Sequence, residues 1–184
     1  MRTSYNAIAG QSVERLASLS DGLFAFALTL LVYDIHLPAI AGVHSEQQLQ
    51  DALASLLPRL LTYALSFLTL GIFWVGHHTL LRYCARSDRN LTWLNLLFLA
   101  LVALLPFSAR VLGDFITLRT ALLLYWLNVL ALGAVVYGSW RYAYRAGLVP
   151  ADTPASVDAG FRQRVLLAQA LYAVGAALCV ISTY

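Results

Sequence analysis

The sequence predicts an all-α protein, a bundle of helices that cross a membrane. Three observations predict it. The 184-residue chain is 60% hydrophobic, well above the roughly 45–50% of soluble domains. It carries five apolar segments that approach or exceed the roughly 20 residues needed to span a bilayer. None of them alternates apolar and polar with period two, so a barrel is excluded. Every basic residue other than histidine is Arg, and the net charge is only +3. With no basic run and no acidic tail, this charge fits anionic lipid headgroups and not nucleic acid. The partner expected from composition is the lipid bilayer. Residues 1–184 form one transmembrane domain.

The first segment, about 16–37, opens with Arg15, Ser18, Ser20 and Asp21 at its entrance and then runs apolar. Ala39-Ile40-Ala41 resembles a signal cleavage site. The apolar run exceeds a signal core, however, and mixed charges precede it, so a retained helix is expected. At about 100° per residue, Arg15, Ser18, Gly22, Phe26, Thr29, Tyr33 and His36 gather on one stripe. Such a face, small, hydroxylic and aromatic, suits either helix packing or the wall of a water-filled cavity. Arg15 and Asp21 are expected to form a lock at the membrane boundary, with Ser18 and Ser20 adding hydrogen bonds. Asp21 as a proton or cation site is the alternative.

The second segment, about 50–80, passes Pro58-Arg59 and ends F-W-V-G-H-H. His77 and His78 point about 100° apart on a helix, so they do not share one metal. A hydrogen bond from one of them to Asp21 or a serine of the first helix is the simpler role. Trp74, one turn earlier, can add its indole N–H. The third segment spans about 89–111, the fourth about 117–145 and the fifth about 162–183, with a Pro- and Gly-containing linker at 146–160. Trp93, Trp126, Trp140 and Tyr142 fall near helix ends, where amphipathic rings anchor to the interface.

The loops set the orientation. Arg82, Arg86 and Arg89 follow the second segment, and Arg141, Arg145, Arg162 and Arg164 flank the fourth linker. The positive-inside rule makes these loops, and therefore the N-terminus, cytoplasmic. Five crossings put the C-terminus outside. Cys84 and Cys179 are expected to be free thiols, and no metal-ligand or cofactor spacing occurs. Walker loops, nucleophile elbows and paired catalytic carboxylates are absent, so no enzyme is expected. The Thr-Val-Gly-Tyr-Gly carbonyl filter is absent too.

Arg15-Leu-Ala-Ser-Leu-Ser20-Asp21 resembles the Arg-x-x-x-Phe-Ser-Asp motif of the transmembrane protein 175 family of potassium channels. L-S-F-L-T-L-G-I-F-W-V-G-H-H in the second segment is similar to that family's second hallmark. The likeness is good over the first three helices and weak beyond them. It implies a potassium-permeable cation channel built as a homotetramer in a bacterial inner membrane. In that arrangement the first helix of each subunit lines a central pore, and an apolar constriction replaces the carbonyl filter. Transferred by position, the constriction falls at Phe26, where the family has Ile or Leu. Thr29, Leu30 and Tyr33 follow it along the pore, and Asp34 sits at the outer mouth. Leu30 lies at the edge of the stripe. The resemblance also implies a network of Arg15, Ser18, Ser20, Asp21, Trp74, His77 and His78 that holds the helix in place. Family members have six helices per unit, so a sixth beyond the five visible is expected. A proton- or sodium-coupled transporter and a non-transporting scaffold are the rival functions. The first lacks paired mid-helix Gly/Pro breaks, and the second rests on the stripe being a packing face.

Overall fold

The computed structural model describes residues 12–33, 35 and 45–181, without the side chains of 155, 176 and 178–181. These residues form six helices: α1 (Val13–Tyr33), α2 (Glu46–Ser55), α3 (Leu57–Tyr83), α4 (Arg89–Asp114), α5 (Arg119–Arg145) and α6 (Ala155–Ile181). Among the described residues α1, α3, α4 and α5 are each long and apolar enough to cross a membrane. The fifth expected segment is α6.

Among the described residues the sixth helix is α2, cut from the start of the expected second segment. Proline explains the cut. The Pro58 ring has no N–H and crowds the carbonyl four residues back, so it opens a helix more readily than it continues one. Pro58 accordingly sits in the first turn of α3, and Ser45 caps α2 by accepting from the Gln48 N–H at 3.3 Å. At ten residues α2 is about 15 Å long, too short to span. The expected linker 146–160 is also shorter than foreseen, because α6 begins at Ala155, directly after Pro154. Asp158 in its first turn suits the positive end of the helix dipole. It also accepts a 2.8 Å bond from the Trp140 indole.

The core runs through α4, which packs on α1, α3 and α5, while α6 packs along α5. Leu16, Phe24, Ala27 and Leu31 of α1 are buried, spaced at three, four and eight residues so that one face of the helix meets α4 and α3. Trp140 is fully buried and stacks on Phe161 with ring centres 4.4 Å apart, which fixes α6 to α5. Gly133 gives that contact a close approach. A Cβ there would lie 1.9 Å from Gln169 Nε2 and 2.3 Å from its Cδ. Gly133→Ala is therefore expected to push Gln169 off the Val129 carbonyl and to cost about 1 kcal/mol, the low end of overpacking. Thermal unfolding in detergent measures it, and an unchanged midpoint would refute the close fit.

The Arg-rich loops lie together. The Ala85 N–H donates to the Leu148 carbonyl at 2.9 Å, and the Tyr142 hydroxyl donates to the Asp88 carboxylate. Asp88 also caps α4 by accepting from the Leu91 N–H at 2.8 Å. Gly147, at φ +64°, takes the left-handed conformation that ends α5, and Leu148 N–H closes onto the Ala143 carbonyl at 3.0 Å. Ser12, Val13 and Glu14 share a cavity with Arg82, Arg86 and Leu148, so α1 begins at this same end. At the opposite end Arg59 pairs with Asp114 at 3.0 Å, joining α3 to α4.

Cys84 closes α3 at the Arg-rich end and is a free, buried thiol; the side chain of Cys179 is outside the described residues. Burial, and after it the Asp88 carboxylate, push the Cys84 thiol up to about 11. A raised pKa leaves little thiolate, the reactive form, near neutrality. Alkylation of the folded protein by iodoacetamide at about pH 8 is expected to be at least tenfold slower than for an ordinary cysteine with a pKa of about 8.5. The stability held by the neutral thiol is present below its ordinary pKa and fades as pH climbs through 11. Labelling at the rate of the unfolded chain would overturn both statements.

Candidate functional site

The exposed side of α1 is the first half of the site. Ser18, Gly22, Phe26, Thr29 and Tyr33 all face outward, opposite the buried face. Phe26 is 62% exposed and Tyr33 80%. An added Cβ at Gly22 would meet nothing within 4 Å. Among the described residues the stripe is therefore exposed and is not a packing face. Thr29 turns its hydroxyl back to the Phe26 carbonyl at 2.7 Å, as helical threonines do, which leaves its oxygen lone pairs outward. Leu30 is half-buried at the border of the stripe. Asp34 and His36 lie outside the described residues.

The second half is a polar cluster behind that stripe. His77 of α3 enters the core while the adjacent His78 stays at the surface, as a 100° step requires. His77 Nε2 lies 2.7 Å from Asn95 Oδ1 of α4, and its ring stacks on Phe98 with centres 4.6 Å apart. Ser20 of α1 reaches the same Asn95 oxygen at 3.4 Å while donating to the Leu16 carbonyl at 2.7 Å. Its single proton favours the shorter bond, so the link to Asn95 is weak. Ser20, His77 and Asn95 are all buried, and Asn95 Nδ2 has no partner among the described residues. Three helices thus meet at one amide.

Asp21 lies on the flank of α1 and accepts from the Trp74 indole of α3 at 2.8 Å. The Trp74 ring in turn lies 5.6 Å from that of His78. The structure does not bring Arg15 to Asp21. Six residues along one helix separate them by about 9 Å along the axis and about 120° around it. Ser18 likewise bonds within its own helix, to the Glu14 carbonyl at 2.9 Å. The expected network therefore divides into a buried part, Ser20–Asn95–His77, and a surface part, Asp21–Trp74. Asn95 was not foreseen. Its signal was a lone amide within the apolar run T-W-L-N-L-L-F, a position where a side chain needs a hydrogen-bonding partner.

Among the described residues no cluster of three or more His, Cys, Asp or Glu could hold a metal ion. Nothing at the site is a nucleophile activated by a base. What the arrangement offers is a helix with an exposed aromatic and hydroxylic face, held from behind by polar contacts to two others.

Comparison with known proteins agrees with this geometry. The family model described as endosomal/lysosomal potassium channel TMEM175 matches residues 15–106, which contain α1, α3 and most of α4. A protein of Streptomyces collinus named a potassium channel is 36% identical over 72% of this chain and 65% of its own length. One of Chamaesiphon minutus, also named a potassium channel, is 33% identical over 92% of this chain and 85% of its own. The human endosomal/lysosomal proton channel TMEM175 is 37% identical, but the match spans 53% of this chain and only 20% of the human protein. The crystal structure of a lysosomal potassium-selective channel TMEM175 homolog from Chamaesiphon minutus superposes with a TM-score of 0.78. It shares 32% identity and covers 93% of this chain and 88% of that one. The polar cluster and the exposed stripe fall within the matched region, and the helical architecture extends the likeness across the remaining helices: this chain belongs to the TMEM175 family of potassium channels.

Proposed function

We propose that this chain is a potassium-permeable cation channel that works as a homotetramer, with four copies of α1 around a common axis. The observation that carries the reading is the exposure of Phe26, Thr29 and Tyr33 on the least lipid-like face of α1, while the opposite face is buried. A stripe of this kind is satisfied by a shared aqueous path between copies. Four Phe26 rings form an apolar constriction where water is sparse, and ions pass when it is wide enough to wet. Thr29 oxygens beside it replace part of the ion's hydration. Leu30 and Tyr33 line the wider path beyond, and Asp34 draws cations to the outer mouth, an attraction that salt screens. The Ser20–Asn95–His77 and Asp21–Trp74 contacts keep α1 in register with α3 and α4 and do not touch the ion. The Arg-rich end faces the cytoplasm of a bacterial inner membrane, following the positive-inside rule.

Two measurements on purified protein test this. Particle mass in mild detergent is expected to correspond to four chains, and liposomes holding the protein are expected to release potassium through a current that does not saturate like a carrier. A monomer would remove the axial pore. Tetramers that carry no potassium would favour a scaffold.

A further inference from the structure

A groove of about 780 Å³ runs between α3 and α6, away from the α1 stripe. That is within the roughly 300–1,000 Å³ of pockets that hold small ligands. Its walls are almost wholly apolar, with Ile72 and Val75 on α3 and Val165 on α6. Glycines keep it open: an added Cβ at Gly71, Gly76 or Gly160 would meet nothing within 4 Å. Deep in the bundle Tyr172 of α6 meets Thr69 of α3, with the two hydroxyls 2.7 Å apart. Toward the Arg-rich end the lining continues through Thr79 and Tyr83 on α3 and Ser156 and Gly160 on α6.

One cation stands in this lining, Arg164. Its neighbour Arg162 is paired with Asp158 at 3.7 Å, whereas among the described residues Arg164 has no ion pair. Arg164 sits one turn from Gly160, midway along the α6 side of the groove, whose lining runs on through Gly160 to Ser156 toward the end carrying Arg82, Arg86, Arg141 and Arg145. A basic side chain at that level meets the phosphates of a bilayer's anionic leaflet. We propose that this groove holds an acyl chain of an anionic phospholipid from the Arg-rich side, with the lipid phosphate against Arg164. The apolar trough accounts for the chain, the unpaired guanidinium for the headgroup, and the Thr69–Tyr172 contact for where the chain stops. The bound lipid fills the space between α6 and α3, whose direct polar link among the described residues is that one hydroxyl pair.

The test is native mass spectrometry of the full-length protein released from nanodiscs of equal phosphatidylglycerol and phosphatidylcholine. The wild type is expected to retain phosphatidylglycerol over phosphatidylcholine. Arg164→Gln should lower that preference by about fivefold, the factor one basic residue contributes near an anionic surface. Gly160→Leu, placed where a side chain has free space, should cut retention of both lipids while leaving helicity intact. Equal retention of the two lipids by the wild type overturns the headgroup assignment. Undiminished retention in Gly160→Leu overturns the groove as the binding place. Loss of assembly in Gly160→Leu with lipid retention unchanged would assign the groove to contact between copies instead, and would equally overturn the proposal.

Discussion

Phe26→Ala is expected to raise potassium flux through reconstituted protein on the order of tenfold, the factor that about 1.4 kcal/mol off a barrier produces. The barrier at an apolar constriction is the cost of bringing an ion where water is sparse. In the proposed tetramer, replacing four rings by four methyl groups would widen the passage and let water stay. Phe26 is 62% exposed in the single chain, so its truncation leaves no cavity in the core, and stability should barely move. That separates a pore effect from a folding effect. Leu104→Ala is the control, since Leu104 is similarly exposed but lies on α4 and should leave flux unchanged. Equal flux in wild type and Phe26→Ala would refute the constriction at this position. A parallel rise in the Leu104 variant would point to general leakiness. Thr29→Val, which keeps shape and removes the oxygen, should lower the potassium-to-sodium ratio without closing the path.

The second large effect is on stability. Asn95→Leu is expected to lower the unfolding midpoint in detergent on the order of 5 °C, corresponding to about 2 kcal/mol for a buried polar group stripped of its partner. The group left behind is His77, which is buried and has Asn95 as its hydrogen-bonding side chain at 2.7 Å. The argument holds for either tautomer of the ring, because leucine neither donates nor accepts. Removing both partners tells the penalty apart from lost packing. His77→Phe keeps an aromatic ring against Phe98, and the pair Asn95→Leu with His77→Phe should recover most of the midpoint, since no orphaned polar atom remains. Additive losses in the double variant would show that packing alone was at stake. Flux should fall in Asn95→Leu and return in the pair, because the contact sets the position of α1 and is not in the ion's path.

Much of this was readable from residue order. Helix after helix appeared as apolar runs of spanning length, because in lipid the backbone must satisfy its own hydrogen bonds and helices are the cheapest way to do so. The stripe on α1 was readable from its period alone. So was the divergence of His77 and His78 by about 100°. The break before α3 was also signalled, by Pro58, yet the apolar run on both sides hid it. α6 reached back into the expected linker because Asp158 has a partner in Trp140, a contact between residues of two helices that no local pattern contains.

Composition and periodicity by themselves determined that the chain is a helical membrane protein, that its Arg-rich loops share one side, and that α1 has a face unsuited to lipid. Those properties follow from transfer free energies and from helical geometry, both of which act along one segment at a time. Only the tertiary structure decided which face of α1 is buried, that Asn95 joins Ser20 to His77, and that Arg15 stands apart from Asp21. Polar partners within a bundle are chosen by which helices lie side by side, and that depends on packing across the whole core.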